Sequence, residues 1–139
     1  MNVLVVEPGF APYEKKINGL EEMQATVGGL ITGIYPYQEE IALVGNDESI
    51  LLGMDYNRSV PGGYGGVFGP FFICGTKDGD FVSLTPAQME RFKKEYHHAE
   101  ILLGANRGGY VTLKVEPKPH PSTRNPKRQH EKKHDKGGR

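Results

Sequence analysis

Short runs of β-branched and aromatic residues recur along the first 115 positions, and Gly, Pro, Asn or Asp cuts each one off before it can lengthen. This punctuation limits what the chain can fold into, because such runs suit strands joined by tight turns. They fall at 2–6, 13–17, 30–37, 41–44, 50–52, 71–74, 81–84 and 110–115. Residues 41–44 and 50–52 flank the polar stretch Gly45-Asn46-Asp47-Glu48-Ser49 and read as a hairpin.

Only two segments have helical periodicity. In the first, Leu20, Met23 and Val27 share one face. Asn18 stands as N-cap with Glu21 at the capping-box spacing, and Gly28-Gly29 closes the helix. In the second, Thr85-Pro86-Ala87-Gln88 combines an N-cap, a proline at the first helical position and a Gln that completes the box. Met89, Phe92 and Tyr96 continue as its apolar stripe. The order ββαβββββαβ lacks βαβα alternation, which argues against a doubly wound nucleotide-binding fold. The fold class expected is α+β, a largely antiparallel sheet with two helices packed on it.

Charge divides the chain. Residues 1–115 hold 9 Lys/Arg against 14 Asp/Glu, a net of −5, while 116–139 hold 8 against 3, a net of +5. From Glu116 onward no Ala, Val, Ile, Leu, Met, Phe, Trp, Tyr or Cys occurs, so that stretch cannot supply a core. The organisation expected is one α+β domain over 1–115 and a disordered basic tail over 116–139. The tail opens with alternating prolines. Arg124, Lys127, Arg128, Lys132 and Lys133 then form a basic run that could hold phosphates through counterion release. It lacks aromatics for base stacking, so contact with nucleic acid would be non-specific; the other reading is a solvated tail.

One cysteine, Cys74, excludes an intrachain disulfide, and no run approaches the length of a membrane span. The N-terminus has neither a basic n-region nor a small-residue cleavage site. A cytoplasmic protein without membrane contact is expected.

The stretch from Pro61 to Pro70 is the richest in glycine. A phosphate cradle would lead into a helix with a Lys-Ser/Thr pair, whereas a strand follows here. Two readings remain: a mobile loop, or a lid whose Tyr64 and Phe68 close over a ligand. Asn57 and Arg58 precede it, and Arg can hold a carboxylate or phosphate with two parallel hydrogen bonds; the alternative is a turn Asn and a surface Arg. His97-His98 ends the second helical segment, where adjacent side chains diverge, and no HExxH or paired cysteine occurs, so no metal or other cofactor is expected. Ile50-Leu51-Leu52-Gly53 and Ile101-Leu102-Leu103-Gly104 are identical, but four residues are too few to define a repeat.

A wider pattern joins several of these pieces. It runs from Val3-Leu4-Val5-Val6-Glu7-Pro8-Gly9 through Val27-Gly28-Gly29, Ile41-Ala42-Leu43-Val44 with Asn46, and Leu51-Leu52-Gly53 ahead of Asn57-Arg58. It ends in Gly69-Pro70-Phe71-Phe72-Ile73-Cys74-Gly75 and Asp80-Phe81-Val82-Ser83-Leu84-Thr85. Over roughly residues 1–96 the chain resembles an uncharacterised small domain family of phages, plasmids and conjugative elements. The resemblance implies a mobile-element setting and brings no activity or catalytic residues. It points to Asn57 and Arg58 as the most polar shared motif. The expected function is therefore a non-catalytic accessory protein that binds a host protein or ribonucleoprotein, for instance to counteract host defence. Two alternatives are a nucleotide-type small-molecule binder using Asn57, Arg58, Tyr64 and Phe68, and a nucleic-acid binder using the tail.

Overall fold

A computed structural model describes residues 1–123. The architecture is a largely antiparallel sheet with two helices, as the spacing of strands and turns predicts. The elements run β1 (Asn2–Val6), β2 (Tyr13–Lys16), α1 (Gly19–Val27), β3 (Ile31–Ile34), β4 (Ile41–Asn46), β5 (Tyr56–Val60) and β6 (Gly65–Phe68). After these come β7 (Phe71–Lys77), β8 (Asp80–Val82), α2 (Pro86–Glu95), β9 (Ala99–Asn106) and β10 (Gly109–Val115). The main sheet has the order β2-β1-β7-β4-β3, with β8 pairing the far end of β7. Every pairing in it is antiparallel.

The sheet is buried on both faces, and the alternation of β7 divides the core. Phe71 and Ile73 join Leu4, Val6, Ile41, Leu43, Met89 and Phe92 on the α2 face. Phe72 and Cys74 join Val3, Val5, Ala42, Val44 and Val27 on the α1 face. Double-sided burial explains why β1 and β7 read as continuous apolar runs rather than alternating ones.

The two helices meet the expectations unequally. In α2 the capping box is complete: the Gln88 amide donates to Thr85 Oγ1 at 3.1 Å, and the Thr85 amide donates to Gln88 Oε1 at 2.9 Å. Met89, Phe92 and Tyr96 are buried as the stripe requires. In α1 the side chain of Asn18 caps nothing, and Glu22 rather than Glu21 reaches back to the Asn18 amide, at 2.8 Å. Leu20 leaves the expected stripe and faces solvent.

Two expected elements change form. Residues 50–52 are not a strand. Asn46 Oδ1 accepts from the Glu48 amide at 2.7 Å and turns the chain, and 48–54 coil through short-range backbone bonds. The identical tetrapeptide at 101–104 lies in β9, so the match marks no repeat. The glycine-rich stretch, read as a loop, is largely the β5–β6 hairpin. Gly62, Gly63 and Gly65 take positive φ at its turn. Gly66 leaves room for the Tyr56 ring, which a Cβ there would meet at 2.5 Å.

Past α2, β9 and β10 form a two-stranded ribbon. Ser59 of β5 donates to the Glu100 carboxylate from both its amide (3.1 Å) and its hydroxyl (2.7 Å), fastening the ribbon to the hairpin. Residues 116–123, assigned to the tail on composition, lie back against the body. Lys118 exchanges backbone hydrogen bonds with Gly9 and Ala11. The His120 ring stacks on Tyr13 at 4.0 Å, and its Nε2 is 3.0 Å from Glu7 Oε2. Arg124, Lys127, Arg128, Lys132 and Lys133 lie outside the described residues.

Candidate functional site

The β5–β6 hairpin crosses the α2 face of the sheet near its β3 edge and leaves a cleft of about 160 Å³ beneath it. The floor is Thr32 and Ile34 of β3, Leu43 and Gly45 of β4, and Phe71 of β7. The walls are Asn46, Ser49 and Ile50 on one side and Tyr64, Gly66, Val67 and Phe68 on the other. Tyr64 and Phe68 therefore both line the cleft, and the hairpin that carries them covers it.

The hairpin is braced. Phe68 packs edge-on against Tyr56 at 5.2 Å and against Tyr110 of the ribbon at 5.7 Å. Tyr64 Oη accepts from the Tyr35 amide at 3.4 Å, tying the hairpin tip to the end of β3. At Gly62 a Cβ would lie 2.8 Å from the Pro36 backbone, so the tip rests directly on the segment after β3.

Asn57 and Arg58 are elsewhere. Both side chains are buried, and neither lines the cleft. Asn57 Nδ2 donates to Val6 O and Gly69 O, each at 2.9 Å. Arg58 is 1% exposed. Its Nε donates to Tyr96 O at 3.2 Å, its Nη1 to Glu7 O at 3.4 Å and to Asn57 Oδ1 at 2.8 Å, and its Nη2 to Phe10 O at 2.6 Å. The guanidinium thus joins the end of β1, the β1–β2 connection, β5 and the end of α2. Burial lowers its pKa to about 10, against the opposing pull of Glu100, so it stays charged at neutral pH. Asn46 works in the same way at the other end, donating to Val27 O at 3.2 Å where α1 stops. These buried polar side chains hold the frame around the cleft.

The cleft has no ionised side chain in its lining; its polar groups belong to Thr32, Asn46, Ser49 and Tyr64. It suits an apolar group and offers no counter-charge to a phosphate. Its mouth is apolar as well. Ile50 and Tyr64, which line it, are both exposed, and Leu51 and Leu52, next in the chain to Ile50, stand out from the 48–54 turn, Leu51 at 82% exposed. Sequence reasoning missed this rim because Ile50, Leu51 and Leu52 read as a buried strand. The signal that could have found it is the polar run at 45–49, which holds an Asx turn that ends β4 instead of a hairpin that pairs it.

Other polar clusters lie apart. The Tyr37 hydroxyl donates to Glu95 and sits 2.7 Å from that of Tyr96. Burial, and for Tyr37 the Glu95 carboxylate, pushes both phenols well above the ordinary tyrosine range. Cys74 is enclosed in the core, and burial pushes its thiol up to about 12. That is the state of an inert core thiol, not a nucleophile.

The fold and cleft together define a small α+β domain with an apolar recess under a glycine-rich hairpin. The chain belongs to the family described as a domain of unknown function (DUF3846), which it matches over residues 1–97. No curated protein and no solved structure matches it. The family span closes just after α2, so the cleft, the Arg58 network and both helices lie within it, and the β9–β10 ribbon and the 116–123 segment lie beyond it. Among the described residues no helix is long and apolar enough to cross a membrane.

Proposed function

We propose that this chain is a non-catalytic accessory protein of a phage or other mobile element, working in the host cytoplasm, which binds a host protein and takes one of its aromatic or long aliphatic side chains into the cleft. The observation that carries this reading is the apolar cleft with exposed Ile50 in its wall and the exposed Leu51 and Leu52 next to it in the chain. Contiguous exposed apolar surface of this kind marks protein interaction sites. A recess that receives one large side chain at the centre of such a patch is the usual form of a binding hot spot. The size agrees, since a cavity of about 150 Å³ accommodates a benzene ring. A nucleotide is a poorer fit, because drug-sized ligands occupy roughly 300–1,000 Å³ and a phosphate needs donors that this lining lacks. The net charge of −5 over residues 1–115 suits a host partner with a basic face, such as a nucleic-acid-binding defence protein.

The test compares proteins captured from host lysate by the full chain and by two variants. Thr32→Trp places a ring in the cleft from its exposed edge, and Leu51→Asp puts a charge on the rim. Both should keep the wild-type circular dichroism and melting temperature, and both should lose the captured partner at least tenfold. A partner held equally well by all three proteins refutes the reading.

A further inference from the structure

We propose that His97, His98 and Glu116 form a surface site for a divalent transition ion of the zinc class, at the root of the β9–β10 ribbon. Their ligating atoms lie within 4.8 Å of one another, and His97 Nε2 is 3.8 Å from Glu116 Oε1.

Two features of the backbone produce this convergence. First, α2 stops at Glu95, and Tyr96, with φ −104° and ψ 16°, leaves the helix. The two histidines therefore stand in the α2–β9 connection, free of the angular divergence a helix would impose on them. Their rings are perpendicular, with centroids 5.0 Å apart. Second, β9 pairs with β10 so that Ala99 faces Val115. His98 precedes Ala99 and Glu116 follows Val115, so that pairing brings the two chain ends together. The carboxylate is thus delivered from 18 residues away by strand pairing.

The donor set selects the ion. Two imidazoles and one carboxylate suit zinc and its neighbours, whereas calcium and magnesium take oxygen ligands. A tetrahedral ion with bonds of 2.0–2.2 Å needs donors about 3.3 Å apart, so the donor pairs among the three side chains must close by roughly 0.5–1.5 Å at most. All three are exposed and free to do so. Water completes the coordination, as in sites with three protein ligands. The recess beside the histidines also holds Lys93 and Lys94. Lys93 is paired with Glu14 and Glu90, which offsets its charge. Lys94 opposes a cation, and together with full exposure this sets the expected affinity in the micromolar range. A bound ion would tie the end of α2 to the exit of β10 and fasten the ribbon to the family domain.

The experiment is calorimetric titration of zinc into the full chain at neutral pH. The background carries His130→Ala and His134→Ala, so that the histidines beyond Thr123 do not contribute. One ion should bind with micromolar Kd. His97→Ala, His98→Ala and Glu116→Gln should each weaken it at least tenfold, while His120→Ala, which removes the imidazole already engaged with Glu7, should leave it unchanged. Absence of zinc binding in the background protein overturns the proposal. So does binding within twofold of that protein in any of the three ligand variants, or loss that follows His120→Ala. Circular dichroism checks that these surface variants fold.

Discussion

Replacing Arg58 with Met removes the charge but keeps a chain of similar length. The backbone carbonyls of Phe10 and Tyr96 and the Asn57 side-chain oxygen then lose their Arg58 donor together, while Glu7 O keeps the Phe10 amide. An acceptor left buried and unpaired costs about 1–3 kcal/mol. Relief of the buried charge offsets part of the sum, so the net loss expected is about 3–5 kcal/mol, the range seen when a buried charge network is broken. For a domain of this size that is a fall in Tm of about 12–20 °C. Urea unfolding followed by circular dichroism measures it as a lower midpoint at unchanged slope. Arg58→Lys should lose nearly as much, because one ammonium cannot span acceptors that a planar fork reaches in separate directions. A loss below about 1 kcal/mol in Arg58→Met would refute the reasoning. It would restore Arg58 to the role its sequence context suggests, a contact for an acidic ligand.

Stability should fall above about pH 9. Burial holds the native Cys74 thiol at about 12, while its ordinary value is 9.0, so the unfolded chain gives up this proton first and is favoured as pH rises. The slope is about 1.4 kcal/mol per pH unit for each such group, and Cys74→Ala should flatten it between pH 9 and 10 in urea midpoints. Tyr37 and Tyr96 add loss of the same sign above the ordinary tyrosine value of 10.0. Arg58 opposes it there, since its native form releases a proton before the unfolded one. Thr85→Ala should cost about 1 kcal/mol through the lost cap of α2, seen as a fall of roughly 4 °C in Tm. His120→Ala should release the stretch from Lys118 to Thr123, while Glu116 stays placed by β10, which ends at Val115. Amide exchange at Ala11 and Lys118 should then quicken at least tenfold while that of β7 stays as it was, and equal protection at those two amides would contradict the docking.

What could be read from the sequence was what local chemistry decides. Thr85 to Gln88 specify a helix start with four adjacent residues, and the apolar run at β7 can hardly be other than a central strand. The sites depend on distant partners. Nothing near Arg58 in the chain announces that Glu7, Phe10 and Tyr96 will surround it, so a buried structural cation and a ligand-binding one look alike. Tyr64 and Phe68 were legible as a pair on a glycine-rich segment, and both line the cleft. The wall opposite them was not, because Ile50 sits in a run of strand composition and only the turn at Asn46 brings it, with Asn46 and Ser49, to the cleft. His120 was hidden for a related reason. A proline-rich polar stretch has no core of its own, but one ring that fits between Phe10 and Tyr13 is enough to seat it.

The division of β7 between two faces has a consequence for how substitutions combine. Val27 and Phe92 lie on opposite sides of the sheet and belong to cores with no member in common. Truncating both should cost the sum of the single losses, within about 0.5 kcal/mol. Phe71 and Phe92 share a core and Tyr96 as a neighbour, so that pair should depart from the sum. Substitutions that tune the α1 side can therefore be combined with cleft variants on the other side without energetic cross-talk, and the chain behaves as two independently adjustable layers sharing one sheet.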